Sequence, residues 1–267
     1  MGPGAGESPV NEANGTAGGP VSINALILIA VCAGLGLALA RMPDPPGVLT
    51  FLFVASSWLL SVVVHEFGHA LAAYRAGDTT VAAKGYLTLD PLRYTDLTTT
   101  LVLPLLALAL GGIGFPGGAV YLREDLMRTR AGRSLASLAG PLGTLAVLLF
   151  LGLLLSVGPA GLGAPLHRAL AFLAFLQATA LILNLLPVPG LDGFGVLRPF
   201  LPAAIAKGAR RVEPLAFMVL FALILFVPLA SDLFFAAALS LTQVLGVPGA
   251  AIGEGWDSFR FWIAPGR

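Results

Sequence analysis

Apolar runs separated by short polar or Pro- and Gly-rich stretches organise this chain. A helix that crosses a bilayer needs about 20 consecutive apolar residues. Residues 21–40 meet that length, 47–74 exceed it, and 134–157 and 167–186 supply a third and a fourth span. Residues 214–245 form a run too long for one comfortable helix and short for two. Pro228 and the pair Ser231-Asp232 fall near its middle and predict a break there. The pattern predicts an all-α polytopic membrane protein with about six transmembrane helices.

Residues 101–115, "LVLPLLALALGGIGF", fall in length between a buried piece and a span, and Pro104 and three glycines weaken them as a helix. Positive charge arbitrates, because Lys and Arg collect in cytoplasmic loops. If 101–115 spans, nine Lys and Arg face four; if it dips in and returns, eleven face only Arg41 and Arg168. The second arrangement is preferred and predicts a re-entrant segment. Non-helical backbone survives at membrane depth only beside protein or a water-filled cavity, so a cavity is implied. The same arrangement puts the N-terminus in the cytoplasm. The preceding stretch "VAAKGYLTLDPL", 81–92, alternates loosely and predicts a short β element at the membrane surface.

Composition agrees with the pattern. Of 267 residues, 57% are hydrophobic and 11% charged, with mean hydropathy +0.90; soluble domains carry about 25% charged residues. The net charge of +1, with no basic cluster, argues against nucleic acid as a partner. Cys32 is the single cysteine and has no internal disulfide partner. Residues 1–20 lack Lys, Arg and any apolar stretch, so they read as a disordered tail rather than a secretory signal, and "MGPGAG" lacks the Ser or Thr of a myristoylation site.

Against this background "WLLSVVVHEFGHALAAY", 58–74, stands out. Ionisable side chains at membrane depth are costly and usually mark function. Residues four apart share one face of a helix, so His65 and His69 can grip one metal ion, with Glu66 placed to act as general base on a bound water. A catalytic zinc normally has three protein ligands. His167 stands beside Arg168 at the edge of its span and reads as an interfacial residue. Asp192, in "NLLPVPGLDGFGVL", is the better third ligand: Pro187, Pro189 and Gly190 break the helix ahead of it. A proton or ion pathway is the rival reading of the charged trio.

Taken together, "HEFGH" (65–69), "NLLPVPGLDG" (184–193) and the Ala-Gly-Pro of "RAGRSLASLAGPLGTLAV" (130–147) resemble the site-2 protease family of intramembrane zinc metalloproteases, peptidase family M50. The likeness covers about residues 51–201 and is to the compact type without a PDZ domain. It implies a three-helix catalytic core, zinc held by His65, His69 and Asp192, Glu66 as catalytic base and acid, and Asn184 holding an unwound substrate strand. Two departures from the family pattern are Thr144, where Asn is common, and Tyr94, where His is common.

The domain plan is then a tail at 1–20, a first transmembrane helix within 21–46, a catalytic core at 47–201, C-terminal transmembrane helices at 202–248 and a tail at 249–267. The expected activity is zinc-dependent hydrolysis of peptide bonds in membrane-spanning substrates, such as an anti-sigma factor or another membrane-tethered regulator. The expected location is the cell membrane, with the site toward its cytoplasmic half. The alternative is a metal-binding membrane protein without proteolysis, which would need the ligands but no base at Glu66.

Overall fold

The structure, a computed structural model, describes residues 21–94 and 121–263. Its long elements are α1 (Ile23–Arg41), α2 (Gly47–Ala76), α3 (Arg130–Leu155) and α4 (Ala164–Leu185). After these come the short α5 (Asp192–Leu197), then α6 (Ala203–Phe226), α7 (Pro228–Val244) and α8 (Gly249–Phe259). The chain is an all-α, multi-pass membrane protein.

Four helices, α1 to α4, are long and apolar enough to cross a membrane, and a fifth span results if α6 and α7 count as one. That pair bends by 90° at Val227, directly before Pro228, so the break lies where the sequence places it. The count of about six spans is corrected to four or five among the described residues. One reason is that α6 starts at Ala203 rather than near Pro214, which lies inside the helix. The re-entrant segment expected at 101–115 lies outside the described residues.

The short β element is also corrected, since no strand occurs among the described residues. Asp78, wholly buried, accepts hydrogen bonds from the backbone N–H and the hydroxyl of Thr80. This starts a helical turn at Thr80–Ala83. Gly85, with φ of 76°, then reverses the chain. Tyr86 and Tyr94 turn inward and stack, and the Tyr94 hydroxyl donates to the Tyr86 carbonyl at 2.6 Å. The alternation reflects two buried tyrosines in a folded turn rather than an extended edge.

Helices α2, α3 and α4 pack together as the centre of the molecule. The approach of α2 to α3 depends on glycine. A Cβ on Gly68 would lie 2.5 Å from the Ala139 carbonyl oxygen, and one on Gly143 would lie 3.0 Å from that of Val64. Small residues of this kind let helix backbones come close in a membrane. The 249–267 stretch, read from sequence as a tail, contains α8. This helix seats Gly255 on the backbone of Arg168, buries Phe259 against Phe172, and pairs Glu254 with Arg168 at 2.7 Å.

Candidate metal centre

Helix α2 has 30 residues, about 45 Å at 1.5 Å per residue, longer than a hydrocarbon core of about 30 Å. It ends at Gly77, which takes φ of 126° and donates back to the carbonyls of Ala73 and Tyr74. His65, Glu66 and His69 are all buried in its C-terminal half. Their spacing puts the two imidazoles on one face, with ring centroids 4.7 Å apart.

Asp192 arrives from a different part of the chain. Helix α4 stops at Leu185, and "PVPGLDG" folds the chain back on its end, with Gly190 at φ 96°. Gly193 sits so close to the Leu185 and Leu186 carbonyls that any side chain there would collide with backbone. Asp192 opens α5 and points its carboxylate at the histidines. Its Oδ2 lies 3.2 Å from Nε2 of His65 and its Oδ1 3.3 Å from Nε2 of His69, while the two Nε2 atoms are 3.0 Å apart. One ligand atom from each of the three residues lies within 4.8 Å of the others.

Helix α3 fixes the rings from behind. His65 Nδ1 is 2.9 Å from the Thr144 hydroxyl, and His69 Nδ1 is 2.7 Å from the Ala136 carbonyl. A carbonyl only accepts, so His69 carries a proton on Nδ1, and in the neutral ring this leaves Nε2 as the lone pair facing the centre. Metal-binding imidazoles are oriented in this way by a partner on the other ring nitrogen. Between Ala136 and Thr144, at the same four-residue spacing, stands Gly140. A Cβ there would strike Nε2 of His69 and lie 2.7 Å from Nε2 of His65. Ala136, Gly140 and Thr144 thus form one strip on α3 matched to the His65–His69 strip on α2.

Two imidazole nitrogens and a carboxylate form a donor set suited to zinc. The cradle that only glycine leaves open at position 140 agrees with that use. Ala136 and Thr144 were not assigned to the site from sequence, although their spacing from the Gly of Ala-Gly-Pro carries the signal. Asn184 is buried near the end of α4, in the wall of a cavity that His65 also lines. His167 lies near the other end of α4, away from the ligand cluster and close to the Arg168–Glu254 pair. Tyr94 is buried too. That burial, with the negative charges of Glu66 and Asp90, holds its hydroxyl well above the usual tyrosine range.

A helical membrane protein with this donor set and a glutamate in the HExxH position defines a class, the membrane zinc metalloproteases. Comparison with known proteins narrows it. The chain is 42% identical over 245 residues to a protein of Mycolicibacterium smegmatis assigned the name zinc metalloprotease Rip2, covering 90% of this chain and 93% of that one. Rip2 of Mycobacterium tuberculosis is 42% identical over 249 residues, covering 91% and 93%. A Bacillus subtilis protein assigned as zinc metalloprotease YwhC is 29% identical over 188 residues, covering 67% and 82%. No protein-family model matches the chain, and no solved structure matches it. The chain belongs to the site-2 protease family of zinc metalloproteases, and its cofactor is Zn2+.

Proposed function

We propose that the protein hydrolyses peptide bonds within membrane-spanning substrates. In this reading His65, His69 and Asp192 hold the zinc, Glu66 handles the proton and Asn184 holds the substrate strand. The observation that carries it is the convergence of two histidines and an aspartate, from α2 and α5, in a helical core built of membrane-length segments.

Zinc, when bound, supplies Lewis acidity that makes water nucleophilic near neutral pH and polarises a carbonyl. Glu66 accepts the proton of the attacking water and returns it to the leaving amine, so the proton count closes within one turnover. Thr144 and Ala136 hold the imidazoles in register. A spanning substrate must unwind before it is cut, because its carbonyls are committed to helical hydrogen bonds. The Asn184 carboxamide offers a donor and an acceptor to the freed backbone. The charge distribution favours an N-terminus in the cytoplasm and a site in the cytoplasmic half of the membrane. Membrane-tethered regulators such as anti-sigma factors are the substrate class that the resemblance to the site-2 protease family implies.

The test is zinc content and cleavage of a spanning substrate by the wild type, Asp192→Ala and Glu66→Gln. About one zinc per chain, lost in Asp192→Ala and kept in an inactive Glu66→Gln, supports the reading. Wild-type cleavage by Glu66→Gln would sink it.

A further inference from the structure

Two turns of α2 before His65, at about 10 Å along the helix axis, lies Trp58. It is 4% exposed, and its indole N–H meets no acceptor among the described residues. It lines a cavity together with Ser61, His65, Thr144, Gln177 and Asn184. The space open to the centre of a water molecule is ≈ 20 Å³, enough for a single water.

The polar groups around this cavity are only partly satisfied. Gln177, 1% exposed, donates from Nε2 to the Ser61 hydroxyl at 2.7 Å, and that hydroxyl donates to the Trp58 carbonyl at 2.7 Å. Gln177 Oε1 takes part in no hydrogen bond among the described residues. Asn184, 4% exposed and two turns further along α4, also has no hydrogen-bond partner among them. Among the described residues, an unpartnered donor on α2 and two carboxamides with unused hydrogen-bonding capacity on α4 therefore line one cavity with room for one water. Buried polar groups without partners are rare, and apolar cavities stay dry while polar ones of this size hold water.

We propose that this cavity is a binding site for one ordered water, which accepts from the Trp58 indole and donates to the carboxamides of Gln177 and Asn184. The water joins α2 to α4 and fixes the orientation of the Asn184 side chain before any substrate arrives. The site stands on its own geometry; only its consequence for substrate rests on the role proposed for Asn184.

The test is proton NMR on zinc-loaded, 15N-tryptophan-labelled protein in detergent micelles. Three indole N–H signals are expected, from Trp58, Trp256 and Trp262. Trp58→Phe assigns the first; if that variant does not fold, Trp256→Phe and Trp262→Phe assign it by elimination. The Trp58 indole proton is expected to show a cross-relaxation peak to water despite its burial, and Gln177→Leu is expected to abolish that peak while leaving the indole signal in place. A resolved Trp58 signal with no water peak, or with peaks to detergent chain protons instead, overturns the site. An undiminished water peak in Gln177→Leu overturns the bridge to α4. Zinc content of the same samples separates either result from a failure of the metal centre.

Discussion

Helices α1 and α4 are both of membrane length, and they invert the rule that governs soluble proteins. The most apolar window of α1 has mean hydropathy 2.4 and is 17% buried within the protein. That of α4 has mean hydropathy 1.7 and is 78% buried. The less hydrophobic helix is the inner one. Lipid tails solvate Leu and Ile as well as a protein interior does, so apolarity does not sort helices between core and periphery. Polar side chains do, because each needs a partner that lipid cannot supply. Helix α4 carries buried Gln177, Thr179 and Asn184, whereas α1 turns Leu26, Ile27 and Leu37 outward.

Substitutions in the two regions break or sharpen this contrast. The largest effect belongs to the centre that α4 and α5 complete. Glu66→Gln is expected to keep its zinc and lose about 100- to 10,000-fold in cleavage rate, the usual worth of a general base. Asp192→Ala is expected to lose both zinc and activity, as read by elemental analysis of purified protein.

Packing comes next. Leu176, wholly buried on α4, should cost about 2–5 kcal/mol when cut to Ala, by cavity formation. Ile27→Ala on the outer face of α1 should stay within about 0.5 kcal/mol in denaturant-titrated unfolding. Equal costs would remove the distinction between the helices.

Thr144→Val keeps the shape but removes the hydroxyl that meets His65. Zinc affinity is expected to fall about 10- to 100-fold in competition with a chelator, with Thr144→Ser close to wild type. Glycine gives the smallest and most diagnostic pair. Gly34 on α1 has nothing within 4 Å of where a Cβ would stand, so Gly34→Ala should stabilise by about 0.5–1 kcal/mol. Gly140→Ala is the same chemical change set against the His65 and His69 nitrogens, and it should lower zinc content instead.

The sequence carried those parts of the site that lie close together along the chain. His65, Glu66 and His69 fall within one helical turn and a half, so their common placement followed from helical periodicity alone. The kink at Pro228 was legible for the same reason, since a missing N–H is a local property. The expectation of a strand at 81–92 failed because Asp78, outside the alternating stretch, captures Thr80 and starts a helical turn. Helix α8 escaped notice because its 11 residues are too few to span, and its burial depends on α4.

By itself, the sequence determined that this is a membrane protein, that His65, Glu66 and His69 stand together on α2, and, through the resemblance of three short motifs, which family it belongs to. It could do so because span length, helical spacing and ligand type are written residue by residue. Only the tertiary structure decided that Ala136, Gly140 and Thr144 back the two histidines, and that Trp58, Gln177 and Asn184 enclose one cavity. Those neighbours are far apart in the chain, 79 residues in the case of His65 and Thr144. What brings them together is the close crossing of α2 and α3 at Gly68 and Gly143 and the packing of α4 against both, and contacts between helices have no period that a single segment can display.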